Sequence, residues 1–492
     1  MVFNSLTFFV FFSVVLCLYY LPLSWRTHKL MLLCASYLFY GAWNPPFVLL
    51  LVFTTVVDWL AARWMDRAEG QRARKALLLV SLFSNLGMLC YFKYGGFVLE
   101  NFVRLANDAG VSYHPPAPDI VLPIGISFYT FHTLSYTIDV YRRRLRATPS
   151  LADFALFVSF FPALVAGPII RASHFLPQLA ERRRATADQL GWGLSLVVVG
   201  LFEKTVLADT LLAPVADRVY AATVNAGFAS AWYGTLAFSG QIFFDFAGYS
   251  TCAIGAAMCL GFALKKNFNY PYAAVGFSDF WRRWHISLSA WLRDYLYIPL
   301  GGSRASAPRV YANLMLTMLI GGLWHGAAWR FVVWGGLHGA YLAAERLARG
   351  WLKKRPRSFG VQPVAPASVA EGGFVVVTGR MLQAALALLT YALVCVTWVF
   401  FRAEDFASAR GVAAAMIGRR KEFMPPDAAA FVALGVVALM LFGHWRLRDA
   451  DLADFAAKIP AWLRPVILAL LLVTVLLTLV SGDRRAFIYF QF

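Results

Sequence analysis

This sequence reads as an all-α integral membrane protein that crosses the bilayer many times, on three grounds. Hydrophobic residues make up 60% of the 492 positions and charged residues only 14%, against roughly 25% charged in soluble domains. The mean hydropathy is +0.61. The apolar character is spread along the chain, with stretches near residues 7–22, 76–92, 190–202, 310–329 and 463–480 separated by short polar interruptions. Several are long enough to cross about 30 Å of hydrocarbon, and the others need tilt or flanking residues to do so. A cleaved signal peptide accounts for one such stretch and not for an array. The chain therefore reads as one polytopic membrane domain over 1–492, with its most motif-rich part at about 120–347.

The elements follow in order. FNSLTFFVFFSVVLCLYYLPLSW is a first span, closed by Arg26 to Lys29. Leu30 to Trp59 is a hairpin of two segments, interrupted by Gly41 and the breaker Asn44-Pro45-Pro46. After the cluster Arg63 to Lys75 a span runs to Cys90, and 93–119 is a longer connection with Gly95-Gly96 and HPPAPD. The segment 120–138 returns to Arg142-Arg143-Arg144 and Arg146, on the basic, cytoplasmic side. Residues 151–170 lie between two basic clusters and contain Pro162, Gly167 and Pro168, which predicts a re-entrant or interfacial course. Stretches at 190–212 and 229–262 lead to Lys265-Lys266, and 355–377 is an inter-span loop. Spans near 381–400, 427–443 and 463–480 complete the chain, with surface segments at 402–421 and 445–460. A simple count places Arg419-Arg420-Lys421 opposite the other basic loops, which conflicts with the positive-inside bias and points to a miscounted span or an unrecognised half-span.

The formal charge of +19 reads as cytoplasmic loops facing anionic lipid. Nucleic acid is not the expected partner, because the basic residues are scattered among hydrophobic spans. The 42 Phe, 21 Tyr and 16 Trp fit either the headgroup level or helix packing. Six Cys without a CxxC pair read as small buried hydrophobes.

Ionisable groups within an apolar chain carry the functional information. His325 lies in the charge-free run Val310 to Trp329, beside Gly321-Gly322 and Gly326, roughly 20 Å from its start if the run is one helix. Imidazole can be uncharged near neutral pH and accept a hydroxyl proton. An interhelical hydrogen bond and an ion path are equally open readings, and His338 in WGGLHGAY follows on the return segment. As one helix, FSDFWRRWHISLSAWLRDYLYIPLGG puts Arg282, His285, Ser289 and Arg293 on one face and Trp281, Trp284, Leu288, Trp291 and Tyr295 on another. That is an amphipathic interfacial helix with His285 at the border. In 123–144, Ser127, Tyr129, His132, Ser135, Tyr136 and Asp139 are polar, and Asp139 is expected to pair with Arg142 or Arg143. FFPALVAGPIIR and QIFFDFAGYS, with Asp245, suit a cavity lining or helix packing. The histidines lack acidic or Cys partners at ligand spacing, so no metal site is expected.

At these residues the chain resembles the membrane-bound O-acyltransferase family, and within it the branch that O-acetylates bacterial polysaccharides such as alginate. PIGISFYTFHTLSYTIDVYR, FFPALVAGPI, FFDFAGYS, NFNYPY, FWRRWHISLSAWLRDYLYIPLGG, GGLWHG, WVFFRA and the terminal FIYFQF carry the resemblance. It implies a ring of about 11 transmembrane helices, with re-entrant and oblique short helices, around a central tunnel. It implies an O-acyltransferase of the bacterial inner membrane that passes acetyl groups from cytoplasmic acetyl-CoA or another acyl thioester to an exopolysaccharide. His325 would be the general base and His285 a positioning group. Trp324, Arg282, Ser289, Asp245, His132, Tyr136 and His338 would line the substrate path. A periplasmic or membrane-anchored acetyltransferase and the polysaccharide synthesis and export machinery are the implied partners. D-alanyl transfer to a cell-wall polymer, a non-catalytic acyl channel and an export scaffold are the competing functions.

Overall fold

The computed structural model describes residues 1–116, 119–221, 227–354, 373–420, 424–480 and 485–488, and among them every regular element is helical. The first group is α1 (Leu6–Tyr19), α2 (Trp25–Gly41), α3 (Phe47–Arg67), α4 (Gln71–Leu89), α5 (Gly95–Asp108) and α6 (Ile126–Tyr141). The short α7 (Leu151–Ser159), α8 (Phe161–Leu164) and α9 (Ala172–Ala180) precede α10 (Ala187–Leu201), α11 (Ala213–Ala221) and the long α12 (Phe228–Cys259). Two short helices, α13 (Phe277–Arg283) and α14 (Ile286–Leu292), lead to the hairpin α15 (Ala307–His325) and α16 (Trp329–Lys354). The chain ends with α17 (Gly373–Arg402), α18 (Phe406–Met416), α19 (Ala428–Leu447), α20 (Leu452–Ala457) and α21 (Leu463–Val480).

Among the described residues, five helices are long and apolar enough to cross a membrane: Phe47–Arg67, Gln71–Asp108, Phe228–Cys259, Gly379–Arg402 and Ala428–Leu447. Leu6–Tyr19 and Leu463–Leu479 are shorter apolar helices. The chain is thus an all-α, multi-pass membrane protein. The breaker at Asn44-Pro45-Pro46 separates α2 from α3 as expected. The connection expected from 93 does not begin there. A π turn, Cys90–Tyr94, carries α4 into α5, so Gly95-Gly96 lie inside a helix and the irregular stretch starts after Asp108. The loop expected over 355–377 falls mostly on 355–372, which lie outside the described residues, as do Lys421 and 489–492.

Side chains tie the loops at one end of the molecule together. Tyr19 Oη donates to Arg183 O (2.8 Å), Trp25 Nε1 to Leu179 O (2.9 Å), Trp59 Nε1 to Thr148 O (3.0 Å) and Arg142 to Asp294 O (3.2 Å). These are the basic loops. At the other end Trp329 Nε1 donates to Asn101 Oδ1 (2.8 Å) and Trp232 Nε1 to Met416 O (3.0 Å), while Arg218 pairs with Asp427. Arg419 and Arg420 follow Met416 at this second end, where the simple count put them. Asp139 accepts from Tyr295 Oη (2.8 Å) and not from Arg142 or Arg143. Cys252, Cys259 and Cys395 are buried as expected, whereas Cys17, Cys34 and Cys90 lie on the exposed surface.

Close helix approach sets the frame. Gly193 and Gly200 of α10 face Gly255 and Gly248 of α12, and a Cβ on Gly248 would lie 2.5 Å from Gly200 O. Small residues at such crossings let backbones approach inside a membrane. Because the obstacle is backbone, a larger residue must part the helices, at about 1–3 kcal/mol. Gly248→Val is expected to reduce the amount of folded protein in membranes several-fold, read by quantitative blotting and detergent thermal unfolding, and an unchanged midpoint would refute this packing argument.

Around that frame the backbone is repeatedly broken. Residues 154–170 are all buried, with α7 ending at Ser159 and α8 at Leu164, so the predicted re-entrant course is a broken segment inside the protein. Non-helical backbone at membrane depth is tolerated where protein surrounds it.

Candidate active site

The continuous helix expected through His285 is interrupted at that residue. Trp284 is extended and His285 adopts the left-handed conformation, φ 40° and ψ 56°, between α13 and α14. Both side chains are fully buried, so the segment is not an interfacial amphipathic helix. Asn267 holds the break. Its Oδ1 accepts from Ser287 N (3.2 Å) and Ser287 Oγ (2.8 Å) and lies 3.1 Å from His285 Nδ1. Its Nδ2 donates to Ser250 Oγ (3.1 Å), and its carbonyl accepts from Ile286 N (2.8 Å). A carboxamide oxygen only accepts, so the proton of the neutral His285 ring sits on Nδ1 and Nε2 keeps the basic lone pair. Among the described residues Nε2 has no hydrogen-bond partner.

The run 310–329 is also not one helix. α15 stops at His325, Gly326 is extended, and α16 starts at Trp329. The α15–α16 crossing is tight: a Cβ on Gly322 would meet Phe331 O, and one on Gly335 would meet Met318 O. The helix end leaves its last carbonyls without intrahelical donors. Tyr94 Oη donates to Leu323 O (3.0 Å), and Lys93 Nζ donates to Trp324 O (2.7 Å) and His325 O (3.1 Å).

His325, 3% exposed, meets Trp324 and Trp334 edge-on at 5.0 Å each and Phe401 at 5.4 Å. Trp324 lies 6.0 Å from His285, and Trp334 lies 4.7 Å from His338. Three imidazoles and two indoles thus alternate in the order His285, Trp324, His325, Trp334, His338. Trp324 is braced by Phe131 (5.3 Å, stacked), and His285 by the edge of Phe246 (4.6 Å). Thr397 Oγ1 donates to Val394 O (2.7 Å), so it accepts from His338 Nε2 at 3.0 Å and fixes that ring as a structural donor.

Two clefts approach this row. One of about 50 Å³ is lined by Lys93, Pro123, Ser127, Phe128, Trp324 and His325, at the start of α6. The other, about 140 Å³, is lined by Arg171, His174, Lys265, Lys266, Ser287 and Arg293 and reaches the residues that follow His285. The second lies by the far end of α6, where Arg142 bonds Asp294 O and Asp294 pairs with Arg171 (2.7 Å). Sixteen residues of helix separate the two ends, about 24 Å.

The structure therefore brings together His325, His285, Trp324 and His338, and leaves other candidates apart. Arg282 is exposed on α13, and the inward guanidinium is that of Arg283, paired with Asp279 (3.0 Å). Ser289 Oγ donates to Trp284 O (3.2 Å), supporting the break. Asp245 is ion-paired with Lys204 and accepts from Ile488 N (2.9 Å). His132 packs on Phe157 (5.9 Å), and Tyr136 Oη accepts from Thr148 N (3.0 Å). Lys93, Asn267 and Trp334 were not singled out by the sequence, although Asn267 opens the NFNYPY motif. Among the described residues no cluster of three or more His, Cys, Asp or Glu is arranged to hold a metal ion.

Residues 14–366 match the family model of MBOAT, the membrane-bound O-acyltransferase family. The chain is 42% identical to the probable alginate O-acetylase AlgI of Pseudomonas aeruginosa, over 82% of this chain and 72% of that protein. It is 39% identical to the probable alginate O-acetylase AlgI of Azotobacter vinelandii, over 93% of this chain and 81% of the relative. It is 35% identical to the peptidoglycan O-acetyltransferase of Helicobacter pylori, over 79% and 74%. With this extent of match, and with the buried histidine row at its centre, the chain belongs to the membrane-bound O-acyltransferase family.

Proposed function

We propose that this protein moves acetyl groups from a cytoplasmic acyl thioester towards the outer face of the bacterial inner membrane for O-acetylation of an exopolysaccharide, alginate being the polymer named in two of its relatives. The observation that carries the reading is the His285–Trp324–His325 row, buried between two clefts at opposite ends of α6. The cleft with Arg171, Lys265, Lys266 and Arg293 suits the phosphates of a coenzyme A or phosphopantetheine donor. The cleft at His325 suits the hydroxyl acceptor.

His325 takes the hydroxyl proton as the oxygen attacks the thioester carbonyl carbon. The C–O bond forms, the C–S bond breaks, and the leaving thiolate is protonated as the ring is restored to its neutral form. Burial excludes water, which would otherwise hydrolyse the thioester. The His285 ring, 6.0 Å from the Trp324 indole that also packs on His325, holds the acyl group or the acceptor in register. A donor used in place spares a charged nucleotide the passage through hydrocarbon.

On this reading 1–492 is one domain, in which short and oblique helices such as α1 and α21 complete a ring of about 11 crossings around a tunnel. Trp324 and His338 belong to its wall, and no metal or prosthetic group takes part. A periplasmic or membrane-anchored acetyltransferase completes the transfer beside the polymer synthesis and export machinery, and anionic lipid surrounds the basic end. The test is mass spectrometry of exopolysaccharide from otherwise identical strains with and without this protein. Loss of acetyl esters at unchanged polymer yield is expected, and unchanged acetyl content would refute the reading.

A further inference from the structure

We propose that Lys93 is a positioning residue for the transfer reaction: with Tyr94 it forms a clamp, carried on the π turn of the second long helix, that fixes the backbone on which His325 sits. The inference rests on the reading of His325 as the base.

Four observations meet at this turn. The chain from Gln71 to Asp108 is helical throughout except for the π turn Cys90–Tyr94. A π turn inserts a residue and turns the following side chains off their α-helical positions, and such turns recur at functional sites. The two residues that end the turn, Lys93 and Tyr94, together donate to three consecutive carbonyls, Leu323, Trp324 and His325. Those are the last carbonyls of α15, which the helix itself cannot satisfy and where its dipole is negative, so an ammonium is the group best matched to them. Lys93 Nζ also lies 5.8 Å from the Trp324 ring centroid, and the residue lines the cleft that His325 lines.

The geometry separates this role from general packing. A helix end can be closed by a glycine motif, but Gly326 is extended here and the chain leaves at once for α16. The histidine is therefore the terminal residue of its helix, with its own carbonyl in the grip of Lys93. Helix ends fray where they are not capped. Any slack at residues 323–325 moves the imidazole and the Trp324 indole together, and a displacement of 1 Å in a catalytic group can cost about 100-fold in rate. The same device recurs nearby, where Arg330 Nη1 donates to Phe401 O (2.9 Å) and Ala403 O (2.6 Å) at the end of α17, and Phe401 touches His325.

The test uses the full-length protein in inside-out inner-membrane vesicles of the native host, with polymer enclosed as acceptor and an acetyl thioester added outside as donor. Lys93→Met keeps the chain length and removes the charge and both hydrogen bonds. It is expected to lower kcat by about 100-fold while the donor KM stays within about twofold, at a normal level in the membrane. Lys93→Arg can span two carbonyls and is expected to recover at least a tenth of the wild-type rate. Tyr94→Phe, which removes only the bond to Leu323, is expected to lower kcat by a few-fold, and it reads the clamp even if Lys93→Met fails to accumulate. Wild-type kcat in both Lys93→Met and Tyr94→Phe would overturn the clamp, as would a loss confined to KM. His325→Ala measured alone separates the two readings: activity surviving in it removes the base assignment, whereas activity lost in it but retained by Lys93→Met removes the clamp alone.

Discussion

His325→Ala is expected to abolish measurable polymer acetylation, a loss of 10²–10⁴-fold on the scale of a removed general base, with protein level and polymer export unchanged. The expectation follows from the surroundings of the ring. Trp324, Trp334 and Phe401 enclose it and a cleft reaches it, so on the proposed function its removal deletes the proton acceptor without opening the fold. His338→Ala makes the contrast. That ring bonds Thr397 and packs against Trp281 and Trp334, so its loss falls on stability, read as a lower unfolding midpoint in detergent. Polymer with normal acetyl content from the His325→Ala strain would sink the base assignment. Lost export at unchanged acetyl content per sugar would indicate a scaffold.

Substitutions at His285 are expected to separate backbone from side chain. With φ at 40° the residue occupies a region that costs an ordinary L-residue about 1–2 kcal/mol. Glycine adopts it freely, asparagine tolerates it, and a β-branched residue fits it worst. His285→Gly and His285→Asn are expected to reach the membrane at near wild-type levels while transfer falls at least tenfold. His285→Val is expected to accumulate several-fold less. Membrane fractions blotted and assayed side by side give both readings. Equal levels of the Val and Gly variants would dismiss the backbone argument, and full transfer by His285→Gly would dismiss a role for the imidazole.

The α-helical membrane architecture was legible because hydropathy and breakers act locally: Asn44-Pro45-Pro46 ends one helix whatever lies around it, and Gly379–Arg402 is apolar enough to declare itself. His325 was legible as an ionisable group in a charge-free run, and its pairing with His285 came from the family motifs. What was not legible is the interruption of helices. A helical wheel assumes continuity, so it placed Trp284 on the aromatic face of a surface helix and His285 at its border; Asn267, 18 positions from His285, imposes the break. Lys93 stands at the start of the connection expected over 93–119, and only the packing of the Gln71–Asp108 helix against the end of α15 brings its ammonium to two carbonyls and the Tyr94 hydroxyl to a third. For Asp245, cavity lining and helix packing stayed equally open because its partner, Lys204, lies 41 positions earlier in the chain.

On the proposed function, acyl transfer occurs at His325 between a donor cleft on one face and an acceptor cleft on the other. Inside-out inner-membrane vesicles from the native host, with polymer enclosed and a ¹⁴C-acetyl thioester added outside, test it most directly. Label on the enclosed polymer is expected with the wild-type chain and only background with His325→Ala at matched protein level. Equal labelling by the His325→Ala variant, or labelling only when donor and polymer share one side of the membrane, would contradict it.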